Sequence, residues 1–242
     1  MSDISIMCCY NNLNEFSRLC ECIRMQNMEI DIIGIDNTAS KYSSCASAFN
    51  YNLKNVCTQY VIFMHQDIVL KNDDMISVFY EALKSIDKYD ILGIAGRRSS
   101  DGNVVTNMVH GDNQWYAGKC RVEYLEECDS LDECFFGGST ECFIKYPFDE
   151  ILCDNWHLYA VEACLAARSR GNKAQVCGIP VIHKSAGKMN QIYNLQFYRL
   201  SKKYSGKFDR ILTTCASAST RFPLREVAFI KRAISIFLGR YD

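Results

Sequence analysis

The sequence predicts an α/β fold: a mainly parallel central sheet with helices on both faces, plus a C-terminal helical tail. Two observations predict it. From Asp3 to Gly96, apolar runs of strand length alternate with amphipathic stretches of helical period, in the order β-α-β-α-β-α-β. Hydrophobic residues make up 48% of the 242 positions and charged residues 23%, so a large core can form and disorder is not expected. No Gly/Ser/Pro linker, repeat or low-complexity stretch divides the chain. One domain spanning residues 1–205, followed by a basic, partly amphipathic helical tail over 206–242, is the economical division.

DISIMCC (Asp3–Cys9) is a short Ile-rich run ending at the polar break Tyr10-Asn11-Asn12, and reads as a buried first strand. Leu13, Phe16, Leu19, Cys20 and Ile23 then recur at helical spacing, with Asn12 as N-cap and Glu15 placed to complete a capping box. IDIIGID (Ile30–Asp36) reads as a second buried strand ending at Asp36-Asn37. A helix is expected around Ser44–Leu53, and YVIFM (Tyr60–Met64) as a third strand ending in His65-Gln66-Asp67. Met75, Val78, Phe79, Ala82, Leu83 and Ile86 mark a helix opened by Asp73 or Asp74, and DILGIAG (Asp90–Gly96) is a fourth strand.

Arg97–Lys145 breaks this rhythm. A turn at Asp101-Gly102 and the pairs Trp115-Tyr116 and Phe135-Phe136 beside Gly137-Gly138 predict hairpins or loops added to the sheet. After Pro147 a helix is expected from about Asn155 to Arg170, stopped by Gly171. AQVCGIPVIH (Ala174–His183) is read as the last strand.

The net charge of −1 hides an asymmetry: residues 184–242 hold twelve Lys and Arg against three Asp and Glu, a balance of +9, leaving −10 for the rest. Such a split points the C-terminal quarter at something anionic. In LREVAFIKRAISIFLGRY, Leu224, Val227, Ile230, Ile234, Phe237 and Leu238 fall at helical spacing with Arg225, Lys231 and Arg232 between them. That pattern fits a helix lying on an anionic membrane surface; it also fits a helix packed on its own domain with a solvated basic face. Nucleic acid is not expected as a partner, because the acidic remainder repels phosphate backbones.

No apolar run reaches the length of a membrane span, and the start, MSDISIMCCYNN, has no basic segment leading into an apolar one, so a cytoplasmic protein is expected. The fourteen cysteines are scattered without a CxxC pair. Cys120, Cys128, Cys134 and Cys142 are spaced too widely for a zinc knuckle, and reduced, mostly buried thiols are the expectation.

Ligands of open α/β sheets sit beyond the carboxyl ends of the strands. Tyr10, Asn12, Asp36, Asn37, His65, Asp67 and His183 are the polar residues there. No GxGxxG follows the early strands and no GxxxxGK[ST] occurs, which removes most support from dinucleotide and P-loop readings. A phosphate would then be held through a carboxylate-bound divalent cation, with Asp67 the best-placed carboxylate; a turn or N-cap role fits the same position. Asp154 equally fits an N-cap, and His183 a core histidine.

In this order, CYNN, IGIDN, Ala48-Phe49-Asn50, YVIFMHQDI, FDE, DNWHLYAVEACLAARSRG and VIHKSAG resemble a GT-A (Rossmann-like) glycosyltransferase of the family 2 kind, in its bacterial glycosyltransferase-like branch. The resemblance covers about residues 3–190. It implies a nucleotide-sugar-binding catalytic domain with Tyr10, Asp36, Asn37 and Asn50 around the donor nucleoside. Asp67 would be the aspartate of a DxD-like motif whose first position is His65, binding the diphosphate through Mn2+ or Mg2+, with His183 completing the metal site. Asp154 would match the catalytic base, here a single carboxylate where a pair is usual, with Glu150 the alternative. Trp156 and Trp115 offer flat faces to a sugar ring or acceptor; for Trp156, core packing at a helix start is the other reading.

The implied reaction is an inverting single displacement by a hexosyltransferase, from a nucleotide-sugar donor to a glycan or lipid-linked acceptor, in surface polysaccharide synthesis near the inner membrane face. Two alternatives compete. A sugar-phosphate nucleotidyltransferase usually carries a Gly-rich loop with a basic pair after the first strand, which CYNN lacks. A non-catalytic nucleotide-sugar or glycan-binding module fits the missing first aspartate of DxD.

Overall fold

A computed structural model describes residues 2–98, 100–111, 115–185 and 189–240 of the chain. Its first half alternates as expected: β1 (Ile4–Tyr10), α1 (Leu13–Arg24), β2 (Asp31–Asp36), α2 (Cys45–Leu53), β3 (Tyr60–Met64), β4 (Ile68–Val69), α3 (Met75–Ser85) and β5 (Ile91–Gly93). The middle holds β6 (Ala95–Arg97), β7 (Val104–Thr106), β8 (Val109–His110), β9 (Trp115–Tyr116), β10 (Leu125–Cys128), β11 (Ser130–Leu131), β12 (Phe135–Ser139) and α4 (Thr140–Lys145). Then come α5 (Tyr159–Arg168), β13 (Ala174–Cys177), β14 (Ile182–His183), α6 (Gln191–Lys203), β15 (Arg210–Leu212), β16 (Ser217–Ser219) and α7 (Leu224–Phe237).

The central sheet has the order β10-β13-β5-β12-β3-β1-β2. β1, β2, β3, β5 and β13 run one way, and only β12 and β10 run against them, so the sheet is mostly parallel. Strand alternation sends Ile4, Ile6 and Cys8 into the layer of α1 and α3, and Met7 into that of α2, α4 and α5. On the latter face Phe49, Phe63, Phe136, Phe143, Phe148 and Tyr159 pack ring against ring. Burying one such ring stabilises the fold by roughly 2–3 kcal/mol.

Several expectations are corrected. Phe135–Ser139 is no loop but a central strand between β3 and β5. Gly137 is required by packing: a Cβ there would lie 2.3 Å from the Val61 carbonyl oxygen. β2 is the sheet edge and is only half-buried, having a single neighbour. Ala174–His183 is two strands in two sheets, because Gly178 and Pro180 break it: a Cβ on Gly178 would meet the Val122 carbonyl at 2.2 Å, and proline cannot donate to a ladder. Likewise Asp90–Gly96 divides into β5 and β6 at Ile94.

The helix expected from Asn155 begins at Tyr159, after a turn that ends with Leu158 in the left-handed region, φ 64°. Gly171, at φ 88°, closes it as expected by donating to the Arg168 carbonyl. Asn12 does cap α1, its side chain accepting from the amides of Asn14 and Glu15. Glu15 does not return the bond; its carboxylate binds Lys184 and Arg18, and the Asn12 amide goes to Gln66 Oε1 at 3.0 Å.

The C-terminal stretch carries the β15–β16 hairpin and then α7, which packs on α6. Of the basic residues expected on a solvated face, Lys231 is exposed but Arg232 is buried, donating to Asn194 Oδ1 and the Ser217 carbonyl. The apolar residues Leu224, Val227, Ile230, Ile234 and Phe237 are exposed. No helix among the described residues is long and apolar enough to cross a membrane. The cysteines are unpaired and mostly buried, and Cys120, Cys128, Cys134 and Cys142 form no metal-type grouping among the described residues.

Candidate active site

The ends of β1, β2 and β3 converge on one side of the sheet. Tyr10, closing β1, stacks on Phe16 of α1 with ring centroids 4.1 Å apart. Gly34 in β2 makes room for that stack, since a Cβ there would come within 2.5 Å of the Phe16 ring. Asp36 is exposed at the end of β2, and its carboxyl is held below the usual range by the backbone amide and hydroxyl of Thr38. Asn37 is buried and brackets the next loop, its amide group binding both backbone groups of Tyr42. Gln66, between the two predicted ligands His65 and Asp67, accepts from the Asn11 and Asn12 amides and donates to Asn11 Oδ1. The turn after β3 is thereby tied to the turn after β1.

Asp67 meets His183 across two short strands. β14 pairs antiparallel with β4, placing His183 opposite Ile68, and the His183 Nε2 lies 3.3 Å from Asp67 Oδ1. His65, Asp67 and His183 each offer a ligand atom, all within 4.8 Å of one another. Burial works against the charge of Asp67, but His183 and the Ser185 amide, which donates to Oδ2 at 3.1 Å, hold its carboxyl well below the usual range. Burial, reinforced by the nearby His183, pushes the His65 imidazole down to about 4, so it is neutral at physiological pH, as a ligand must be. His65 Nε2 is 3.0 Å from the Tyr159 hydroxyl. His183 Nδ1 is buried without a hydrogen-bond partner. Two neutral-capable imidazoles, a carboxylate and an orphaned ring nitrogen fit a divalent cation.

Two cavities flank this cluster. One, of about 490 Å³, is lined by Tyr10, Asn37, Gln66 and Asp67. The other, of about 310 Å³, is lined by all four histidines of the chain, His65, His110, His157 and His183, together with Asp132, Glu133 and the Thr213–Cys215 turn. His65, Trp156 and Ser185 line both. Trp156 thus stands at the junction, partly exposed. Trp115 is exposed on β9 of a four-stranded sheet, β4-β14-β8-β9, with its ring 4.8 Å from that of His110, and lines neither cavity.

Not every predicted residue is brought here. Asn50 lies on α2, where its side chain is consumed by Phe148 and by Glu150 Oε1, and it lines neither cavity. Asp154 is half-exposed on the turn before α5, paired with Arg199 at 2.9 Å, and also lines neither cavity. Gly187 of the HKSAG motif lies outside the described residues. The residues that the strand-end rule passes over are Asp132 and Glu133, between β11 and β12, and Tyr159 on α5; they emerge only once Phe135–Ser139 is placed at the centre of the sheet.

The model of the glycosyltransferase-like family matches residues 5–208, and the chain belongs to that family. No curated protein matches the sequence. Among solved structures, the fold is similar to mannosyltransferase PcManGT from Pyrobaculum calidifontis, in complex with GDP-Man and Mn2+, at 9% identity and TM-score 0.57 over 85% of this chain and 63% of that one. It is similar to TarS 1–349 from S. aureus in complex with UDP-GlcNAc at 11% identity and TM-score 0.58, over 83% and 66% of the two chains. GalNAc-T7 with UDP, GalNAc and Mn2+ matches at 10% identity and TM-score 0.60, over 84% and 50%. The chain therefore spans half to two thirds of the length of these relatives.

Proposed function

We propose that the chain is an inverting, metal-dependent hexosyltransferase that moves a sugar from a nucleotide-sugar donor to a glycan or lipid-linked acceptor in surface polysaccharide synthesis. The observation that carries this reading is the convergence of His65, Asp67 and His183 between two cavities, within a fold shared with proteins that hold GDP-Man or UDP-GlcNAc. The donor nucleoside would lie in the cavity of Tyr10 and Asn37, with Asp36 at the neighbouring strand end. Asn50, spent on Phe148 and Glu150, would support α2 rather than touch the donor.

His65, Asp67 and His183 would hold the cation, and two imidazoles with one carboxylate favour Mn2+ over Mg2+. When bound, the cation would offset the negative charge growing on the departing diphosphate. The Ser185 amide fixes one oxygen of Asp67, and Tyr159 fixes the ring of His65, so both ligands are oriented before any donor arrives. Trp156, shared by both cavities, is placed to pack against the sugar ring, with Trp115 an outer contact for the acceptor.

Residues 1–205 would form the catalytic unit and 206–242 the basic tail, whose hairpin lends Thr213–Cys215 to the acceptor side. The exposed apolar stripe of α7, in a stretch of charge +9, supports a peripheral position on the anionic cytoplasmic face of the membrane. The test is release of nucleoside diphosphate from a panel of UDP- and GDP-sugars with Mn2+ and glycan acceptors. Turnover lost in Asp67→Ala is the expected result; tight donor binding with no turnover would instead make the chain a binding module.

A further inference from the structure

We infer that Asp132, rather than Asp154, accepts the proton of the acceptor hydroxyl. The inference rests on the glycosyltransferase reading above and adds the residue that performs its proton transfer.

A single displacement places the attacking hydroxyl and the leaving group on opposite faces of the anomeric carbon, so the base must lie across the metal cluster from the diphosphate. Two cavities border the cluster and can take the two sides. Asp67 and Tyr10 line only the first, Asp132 and His183 only the second, and His65, Trp156 and Ser185 line both.

Asp132 is held without being neutralised. Oδ1 accepts the Cys134 amide at 3.1 Å and Oδ2 accepts the Thr214 hydroxyl at 2.7 Å, so each oxygen keeps lone-pair capacity for a further donor. Its own amide donates to the Ala95 carbonyl at 2.9 Å, fixing the backbone between β11 and β12. Among the described residues no lysine or arginine forms an ion pair with it.

The neighbouring carboxylates are less suited. Asp154 is bound to Arg199 outside both cavities. Glu133 lines the same cavity with Oε1 buried and without a hydrogen-bond partner, and burial beside Asp132 pushes its carboxyl well above the usual range, which disfavours the charged form a base needs. Glu162 is buried against Lys203 and Tyr204. Asp67 is paired with His183 within the metal-type cluster.

In the step assigned to Asp132, the acceptor O–H bond breaks and its proton passes to a carboxylate oxygen. The hydroxyl oxygen forms the new bond to the anomeric carbon, and the bond from that carbon to the phosphate oxygen breaks. The nucleoside diphosphate departs with that electron pair, leaving an inverted glycoside.

The test compares the 242-residue wild type with Asp132→Asn, Asp132→Glu and Asp154→Asn. Nucleoside diphosphate release from UDP-GlcNAc, UDP-GalNAc and GDP-mannose is followed with Mn2+, using glycan acceptors and water, and UDP and GDP binding is measured by calorimetry. Asp132→Asn is expected to lower turnover about 10²–10⁴-fold while UDP or GDP affinity stays within about twofold. Asp132→Glu is expected to recover part of that loss, and Asp154→Asn to stay within about threefold of wild type. The assignment is overturned if Asp132→Asn turns over normally, if Asp154→Asn loses as much, or if Asp132→Asn loses UDP and GDP binding together with turnover. A wild type that binds nucleotide and consumes no donor would sink the glycosyltransferase reading instead, a failure distinct from an active Asp132→Asn.

Discussion

The Tyr159 hydroxyl lies 3.0 Å from His65 Nε2, so the first residue of α5 sets the ring orientation of the imidazole at the end of β3. Tyr159→Phe removes that bond and leaves the packing. Mn2+ affinity in the presence of UDP or GDP should fall about tenfold, with a stability loss of about 1 kcal/mol. Calorimetric titration and urea unfolding measure the two effects; unchanged metal affinity would show that the contact is only structural.

Asp67 is the sole carboxylate of the metal-type cluster. Asp67→Ala should abolish Mn2+-dependent nucleoside diphosphate binding, whereas His65→Ala should weaken it less, because the charge of the site survives. Chelation of wild type by EDTA should reproduce the Asp67→Ala result. Equal affinity in the Asp67 variant and wild type would refute the metal role.

The His65 imidazole falls from its ordinary 6.5 to about 4 through burial and the nearby His183, so protonation favours the unfolded chain. Its contribution is complete above pH 6.5 and is lost as pH falls toward 4, by up to about 3 kcal/mol. His110 and His157, also depressed by burial, act in the same sense, while Glu133, raised by burial, acts in the opposite one. The clean measurement is therefore a difference. The stability advantage of wild type over His65→Asn should shrink between pH 6.5 and 4, and an advantage constant with pH would contradict the burial account.

Gly137 sits where β12 crosses β3, its Cα facing the Val61 carbonyl too closely for a methyl group. Gly137→Ala should destabilise the fold by about 3 kcal/mol, read as a lower urea midpoint. A variant of wild-type stability would mean that β12 can shift without breaking its pairing.

On α7, Ile230, Ile234 and Phe237 are exposed while Arg232 is buried. Replacing Ile234 and Phe237 together by Ser should reduce binding to anionic vesicles by at least about tenfold and leave thermal stability nearly unchanged. Equal co-sedimentation of the double variant would remove the membrane from the proposed setting.

Part of the metal-type cluster was legible in the sequence because polar residues after an apolar run must emerge at a strand end, as His65 and Asp67 do after β3; His183, which closes β14 of another sheet, was joined to them only by the family resemblance. The second cavity was not. Asp132 and Glu133 precede Phe135–Ser139, whose paired glycines imitate a loop although close strand packing demands Gly137. Asp154 precedes a helical pattern, which fits an N-cap, and only the family resemblance made it a base; the turn through Leu158 delays the helix, and Arg199 pairs with the carboxylate outside both cavities. The direction of α7 was illegible for a related reason: hydropathy counts Arg232 as surface, while Asn194 and Ser217, remote in sequence, supply its buried partners.

Because His65, His110, His157 and His183 are the whole histidine complement and all border a single chamber, isotope labelling of that one amino acid gives a spectrum with no background from elsewhere in the molecule. Every resonance that moves on adding Mn2+, nucleotide or acceptor then reports on the chamber itself, making this chain unusually easy to interrogate by magnetic resonance.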